Sequence, residues 1–291
     1  MTSVKVLRRR IRSVKNTQQI TKAMELVAAS KLRRIQEAAR QSRHYSRLAY
    51  SLLHRAAASA EMRNHPFFVE RIEARRSLLV VFSSDRGLAG AFNNNVHSAA
   101  LQAMATDKSL GLDVDLVLMG RRGGRYFAGL KGLRLVSVFE QLEDIPRPAR
   151  LAPLMALIQK GVTENTYAKV SVITTRFEST LSQRVQNLPL LPVRLDHLPS
   201  EQRLSQAYQF EPSPESVAQQ AAGLYLESQL MQARLDSTAS EYAMRMLAMH
   251  NANNNAAELT AGLELELNAT RQAAITQQIA EISGGVAALA D

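Results

Sequence analysis

The chain has 291 residues, 46% of them hydrophobic, with a net charge of +10 and no cysteine. That is enough apolar material for a sizeable core in one or two domains. The missing cysteine excludes disulfides, thiolate metal sites, thiol catalysis and a dithiol switch, and fits a reducing compartment.

No apolar run approaches the eighteen or so residues of a membrane span; the longest, residues 78–82, has the length of a buried strand. The chain therefore reads as soluble, or peripheral to a membrane. Its charge is uneven. Residues 1–60 hold 14 Lys and Arg against 2 Glu, net +12, whereas residues 214–291 hold 3 Arg against 9 Asp and Glu, net −6. The two ends are electrostatically complementary, which favours pairing and specifies it only loosely.

From Val4 to about Ala60 there is no proline or glycine. Apolar residues recur at helical spacing: Val4, Leu7, Ile11, Val14, then Ile20, Met24, Val27, then Leu32, Ile35, Ala39. This predicts one helix of roughly 80 Å whose seam shifts phase twice, as stutters do. A stripe so narrow and so rich in alanine needs a mate.

Residues 77–212 alternate strand and helix signals. Strands are expected at 77–83, 114–119, 133–139 and 169–175, helices at 94–105, 124–130 and 149–165, and an edge strand at the Pro-containing 185–193. A polar loop follows at 196–214. Continuous apolar strands imply a largely parallel sheet covered on both faces, a doubly wound, Rossmann-like domain.

Residues 214–291 predict a second long helix, roughly 100 Å, interrupted only by Gly223 and Gly262 before Gly284. Its coiled-coil seam is Leu235, Ala239, Tyr242, Met246, Met249, Ala256, Leu263, Leu267 and Ala274. The expected fold is thus α/β plus a long antiparallel coiled coil: terminal helices at 1–60 and 214–291 paired, with the α/β domain of 77–212 inserted between them.

Chemistry is hard to find. Residues 83–91 follow the first strand, where a doubly wound fold places a phosphate loop, yet neither G-x-G-x-x-G nor G-x-x-x-x-G-K-[ST] spacing is present, so a structural turn is the better reading. Gly120-Arg121-Arg122-Gly123-Gly124 is a weak anion candidate. The six histidines, His44, His54, His65, His97, His197 and His250, show no metal-ligand spacing. No serine elbow occurs, and Glu264 and Glu266 point to different helix faces. No catalytic residue, cofactor site or metal site is assigned.

The basic run from Lys5 to Lys15 and the pair Arg33-Arg34 admit two other readings. A mitochondrial transit peptide is disfavoured because the heptad pattern continues past residue 40 without a small-residue cleavage site. A nucleic-acid-binding coiled coil is the alternative function; against it, no aromatic residue precedes Tyr45.

The run from Ile11 to Arg34, with Thr17-Gln18-Gln19-Ile20-Thr21-Lys22-Ala23-Met24-Glu25 at its centre, closely resembles the N-terminal signature of the gamma subunit of F-type ATP synthases. The run from Asn268 to Leu289, with Arg271-Gln272-Ala273-Ala274-Ile275-Thr276, is similar to that family's C-terminal signature, and Ser84-Asp85-Arg86-Gly87-Leu88 with Gly90 matches its middle domain. The resemblance spans essentially the whole chain in order.

It implies a non-catalytic rotor shaft in the central stalk, coupling ion flow through a membrane c-ring to the catalytic sites of three alpha and three beta subunits, with epsilon bound at the foot. It places Met24 and Arg245 where the shaft meets the beta subunits. Arg271, Gln272 and Thr276 fall on a beta-subunit catch-loop contact, and Ile282, Val286 and Leu289 in an apolar tip. Location on the cytoplasmic side of a bacterial inner membrane, as a peripheral protein, would follow. Four positions depart from the family pattern: His250 and Asn254 stand where acidic residues are usual, Gln278 replaces a common Glu, and Ala269 a frequent basic residue. These changes imply fewer ionic contacts in the upper shaft. The plant redox insertion is missing.

Overall fold

A computed structural model describes residues 3–56, 66–69, 71, 73–141, 143–193, 211 and 213–290; of the side chains at 54–56, 214, 215, 218 and 284–290 nothing is described. The elements in order are α1 (Val4–Ala56), β1 (Arg76–Phe82), α2 (Phe92–Ser109), β2 (Asp113–Met119), α3 (Arg121–Ala128), β3 (Arg134–Phe139), α4 (Pro148–Thr163), β4 (Tyr167–Phe177), β5 (Gln183–Leu191) and α5 (Pro214–Ala290). Most of the polar loop expected at 196–214 lies outside the described residues.

The chain divides into two compact units, residues 30–244 and the two terminal segments 1–29 with 245–291. In the larger unit the sheet order is β3-β2-β1-β4-β5. The first three neighbouring pairs are parallel and β5 runs antiparallel along β4. Pro189 lies in β5, an edge strand, opposite Ser171 at a register shift, a position where a sheet tolerates proline. Both faces of the central strands are covered, which is why they read as unbroken apolar runs.

Side chains alternate between the two layers. Leu78, Val80, Phe82, Val117, Met119 and Val172 pack with Leu151, Leu154 and Ile158 of α4, with Leu53 of α1 and with Ala222, Tyr225, Leu226 and Leu230 of α5. Leu79, Val81, Leu116, Leu118 and Ile173 pack against Phe92, Val96, Ala100 and Met104 of α2 and Phe127 of α3. Period-two alternation on a buried sheet requires this division. One face of the sheet is therefore roofed partly by the long terminal helices. In this unit they run antiparallel: Lys31 meets Tyr242, Arg43 meets Asp236, the Ser46 hydroxyl donates to the Ser228 carbonyl, and Tyr50 lies 5.9 Å from Tyr225 between ring centres.

Antiparallel pairing also holds in the smaller unit. Leu7 and Ile11 cluster with Leu263, with Val14 and Leu267 packed against them, and Glu25 faces His250. The seam of α1 differs from the expected one. Ile20 is 60% and Val27 55% exposed, while Thr21 and Ala28 are buried. The inward positions are Leu7, Ile11, Val14, Gln18, Thr21, Glu25, Ala28, Leu32, Ile35, Ala39, Ser42, Ser46, Ala49 and Leu53, an uninterrupted four-three repeat without stutters. Polar residues occupy it where apolar ones sit outside, which misled a reading based on hydrophobicity. Thr21 manages burial by donating its hydroxyl to the Gln18 carbonyl at 2.9 Å. On α5 the seam holds through Leu263 and Leu267, but Ala274 is exposed.

Helix α3 starts three residues before the expected 124. Its first N–H groups are capped by residues distant in sequence: Asp85 Oδ1 accepts from Arg121 N at 2.9 Å, and Ser83 Oγ accepts from Gly123 N at 2.9 Å. Gly120, at φ +114°, makes the entry, and a Cβ there would collide with the Ser83 carbonyl.

Candidate functional site

In open α/β sheets a ligand usually sits beyond the C-terminal ends of the strands where the strand order reverses, here between β1 and β4. Helix α5 covers that neighbourhood. The Thr174 hydroxyl donates to the Ala233 carbonyl at 2.8 Å, and the Ser240 hydroxyl to the Thr175 carbonyl at 3.2 Å. These two buried hydroxyls are satisfied by backbone carbonyls, whereas Thr175 Oγ1 and Ser237 Oγ nearby are buried with no hydrogen-bond partner, so the contact is a polar joint only in part satisfied.

Beside this joint lies a cavity of about 520 Å³ lined by Lys31, Asp85, Arg86, Arg121, Gln141, Glu143, Asp144, Arg234, Glu241 and Tyr242. Four cationic and four anionic side chains line it, so it offers no net preference for a charged ligand. Arg234 is buried to 4% exposure, and its Nη2 donates to the Glu143 carbonyl at 3.4 Å. Burial pushes its pKa down, opposed by the carboxylates of Glu241, Asp85 and Asp144; a guanidinium still keeps its charge.

A triad anchors the loop before α4 to both long helices. Lys31 Nζ donates to Asp144 Oδ2 at 2.7 Å and to the Tyr242 hydroxyl at 3.0 Å, and Tyr242 donates to Asp144 Oδ1 at 2.7 Å. The hydrogen bond to Asp144 raises the Lys31 pKa. Burial alone would raise Asp144, but hydrogen bonds from Lys31 and Tyr242 prevail and hold it below the usual carboxylate range.

The turn at 83–91 is internally bonded. The Ser84 hydroxyl donates to the Arg86 carbonyl at 2.7 Å, Asn93 Oδ1 accepts from Ser84 N at 3.1 Å, and Arg122 N donates to the Ser84 carbonyl at 2.9 Å. These bonds tie the turn to the start of α2 and to α3. Among the described residues no cluster of three or more His, Asp or Glu is placed to hold a metal ion.

The remaining candidate is the surface of the paired helices in the smaller unit. Apolar side chains lie exposed there: Ile20, Leu26 and Val27 on α1, and Leu247, Leu259, Leu265, Ile275, Ile279 and Ile282 on α5. Beyond Thr270 every described α5 side chain through Ser283 is exposed. Exposed apolar side chains gathered in this way mark a candidate interaction surface.

The family model described as ATP synthase matches residues 3–289. The ATP synthase gamma chain of Stenotrophomonas maltophilia (strain K279a) is 35% identical over 292 aligned residues, covering 99% of this chain and 100% of that one. The chain belongs to the ATP synthase gamma-chain family. The gamma chain of Xylella fastidiosa (strain M12) matches at 35% identity with the same coverage. Solved structures share the fold: the rotor of the Euglena gracilis mitochondrial ATP synthase has a TM-score of 0.60 at 14% identity, over 94% of this chain and 98% of that one. The Tetrahymena thermophila central stalk and c-ring structure gives 0.57 at 23% identity, over 80% and 99%.

Within this gamma-chain homologue, Met24 is half-buried, Arg245 is buried to 6% exposure, and Arg271, Gln272 and Thr276 are exposed. Ile282 is 67% exposed, while the side chains of Val286 and Leu289 lie outside the described residues. The structure brings Met24 and Arg245 into the same unit as the three exposed polar residues. The expected thinning of ionic contacts is partly offset. His250 Nδ1 lies 3.2 Å from Glu25 Oε1 and its Nε2 3.2 Å from Asn254 Nδ2, so two of the departing residues join one ladder across the helices. Burial would raise the Glu25 pKa, but Lys22 and His250 outweigh it and lower it. Ala269 and Gln278 are exposed. Sequence reasoning missed the Lys31–Asp144–Tyr242 triad, whose members are separated by about a hundred residues or more. Lys31 flanks the inward Leu32 and lies off the seam itself, so no periodic signal marks it.

Proposed function

We propose that the chain is the central-stalk rotor subunit of a bacterial F-type ATP synthase, a non-catalytic axle that couples ion flow through the c-ring to conformational change in the catalytic subunits. The observation that carries this reading is the antiparallel pair of terminal helices with apolar side chains left open to solvent, in a chain similar over its whole length to named gamma chains. A two-helix body resists twisting, and different faces of it meet three chemically equivalent partners in turn. Weak, exposed ion pairs such as Lys15–Glu264, at 2.8 Å, suit such a surface because each is worth at most about 1 kcal/mol and is easily exchanged.

The proposed partners are three alpha and three beta subunits around the paired helices, with epsilon and the c-ring at the other unit. Met24, Arg245, Arg271, Gln272 and Thr276 contact beta, and Ile282, Val286 and Leu289 form the apolar tip. The proposed location is peripheral, on the cytoplasmic face of the inner membrane through the complex; no helix among the described residues is long and apolar enough to cross a membrane. Nothing in the relatives favours the nucleic-acid alternative.

Reconstitution tests the proposal. The isolated chain should hydrolyse no ATP and should assemble with alpha and beta into an ATPase whose fluorescently tagged larger unit rotates. Failure to assemble under any nucleotide condition would refute it. The Arg271→Ala, Gln272→Ala, Thr276→Ala triple variant should assemble and fold normally while losing severalfold in ATPase rate.

A further inference from the structure

Two loops that look unremarkable separately in the sequence meet at the C-terminal ends of β1 and β2. Gly87, Leu88, Gly90, Asn93 and Asn94 from one side and Arg122, Arg125 and Tyr126 from the other line a cleft of about 440 Å³, with His97 in its wall. No acidic residue lines it. The Arg122 guanidinium lies so close over Gly87 that a Cβ there would collide with it. Arg122 and Arg125 stand one turn apart on exposed positions of α3. Helix α2, eighteen residues long, opens into the same region with no side-chain cap at Ala91, so the partial positive charge of its first turn adds to theirs.

His97 supplies the independent observation. It is buried to 7% exposure, and its Nε2 has no hydrogen-bond partner. Its ring is fixed, stacked 4.3 Å from Tyr126 and edge-on to Phe127 at 5.5 Å. Burial lowers its pKa, so it is neutral at physiological pH. Buried polar nitrogens of native proteins are normally satisfied, and this one belongs to a side chain that lines a cationic cleft.

We infer that the cleft between the β1–α2 and β2–α3 loops binds a phosphate group, either free phosphate or the terminal phosphate of a nucleotide. Arg122 and Arg125 provide the charge-assisted donors, the N-terminal turn of α2 the backbone field, and His97, as the Nε2–H tautomer, a neutral donor. The site is separate from the reversal point between β1 and β4 that α5 covers, and it does not depend on the rotor assignment.

Calorimetric titration of the full chain with inorganic phosphate and with ADP, at low ionic strength, tests it. Saturable binding with a Kd of about 1 mM or tighter is expected from a few charge-assisted hydrogen bonds. Similar affinity for both ligands identifies the phosphate group alone as what is read, and tighter ADP adds the nucleoside; either result upholds the site. The Arg122→Ala, Arg125→Ala variant should bind at least about tenfold more weakly at an unchanged melting temperature. In the unaltered chain, the His97 imidazole NMR signals should shift on phosphate addition. Absence of saturable binding, binding unmoved by loss of both arginines, or silent His97 signals would overturn the inference.

Discussion

The two units of this gamma-chain homologue solve the burial problem in opposite ways. Residues 30–244 enclose a sheet between two apolar layers, in which Leu78, Leu79, Val80, Val81, Phe82, Leu116 and Leu118 are fully buried. Residues 1–29 and 245–291 have only a seam, with Leu7, Ile11 and Leu263 at its densest point, and leave larger apolar side chains outside. The first unit holds a core closed on both faces of the sheet. The second leaves exposed the kind of side chain that the first encloses.

The sharpest way to break this comparison is to cut equivalent volume from both units. Leu79→Ala in the sheet should destabilise the isolated chain by about 3–5 kcal/mol in denaturant unfolding. Ile11→Ala, on a two-helix seam that relaxes into solvent, should cost clearly less, about 1–2 kcal/mol. Equal costs would mean that the paired helices own a core as closed as the sheet's.

Buried ions come next. Asp115, only 1% exposed, accepts from Arg76 Nη2 at 2.6 Å and from the Tyr167 hydroxyl at 3.2 Å, with Arg134 at 3.7 Å. Asp115→Ala should cost about 3 kcal/mol, because it strands arginines and a buried hydroxyl. The Tyr167 phenol, pushed up to about 12 chiefly by burial and then by the Asp115 charge, should move back toward 10 in that variant, which ultraviolet pH titration reads.

A pH experiment probes the anchoring triad. The Asp144 pKa is depressed below 3.8, so its contribution is present above that value and lost as pH falls through the folded pKa. The Lys31 pKa is raised above 10.5, so its contribution is present below that value and lost as pH rises through the folded pKa. The stability gap between the parent chain and Lys31→Met should therefore stay flat from about pH 4 to 10 and close at both ends. Tyr242→Phe should cost about 1 kcal/mol.

The smallest effect belongs to the seam's surface. Glu264→Gln removes an ion pair whose side chains are about half exposed, and should cost at most about 1 kcal/mol, vanishing at high salt. A larger, salt-insensitive loss would show that the paired helices are held by specific charges.

Much of this was legible in order along the chain. Unbroken apolar runs gave the parallel strands, and proline at 189 marked the edge, because both signals arise from local backbone and solvation requirements. Seam residues on α1 were misassigned between Val14 and Leu32 for a definite reason. Ile20 and Val27 are more hydrophobic than Thr21 and Ala28, but small or self-bonded side chains are what a close helix pair admits. The larger apolar side chains there lie on the solvent face.

By itself, the sequence determined two long helices, an α/β domain between them, their charge complementarity and membership of the family, since periodicity, composition and motif order are properties of neighbouring residues. Only the tertiary structure decided which face of each helix turns inward, how α3 is capped from Ser83 and Asp85, how Lys31, Asp144 and Tyr242 meet, and that two glycine-bearing loops share one cationic cleft. Those outcomes depend on side chains tens to hundreds of residues apart being held within hydrogen-bonding reach, and a linear pattern carries no distance of that kind.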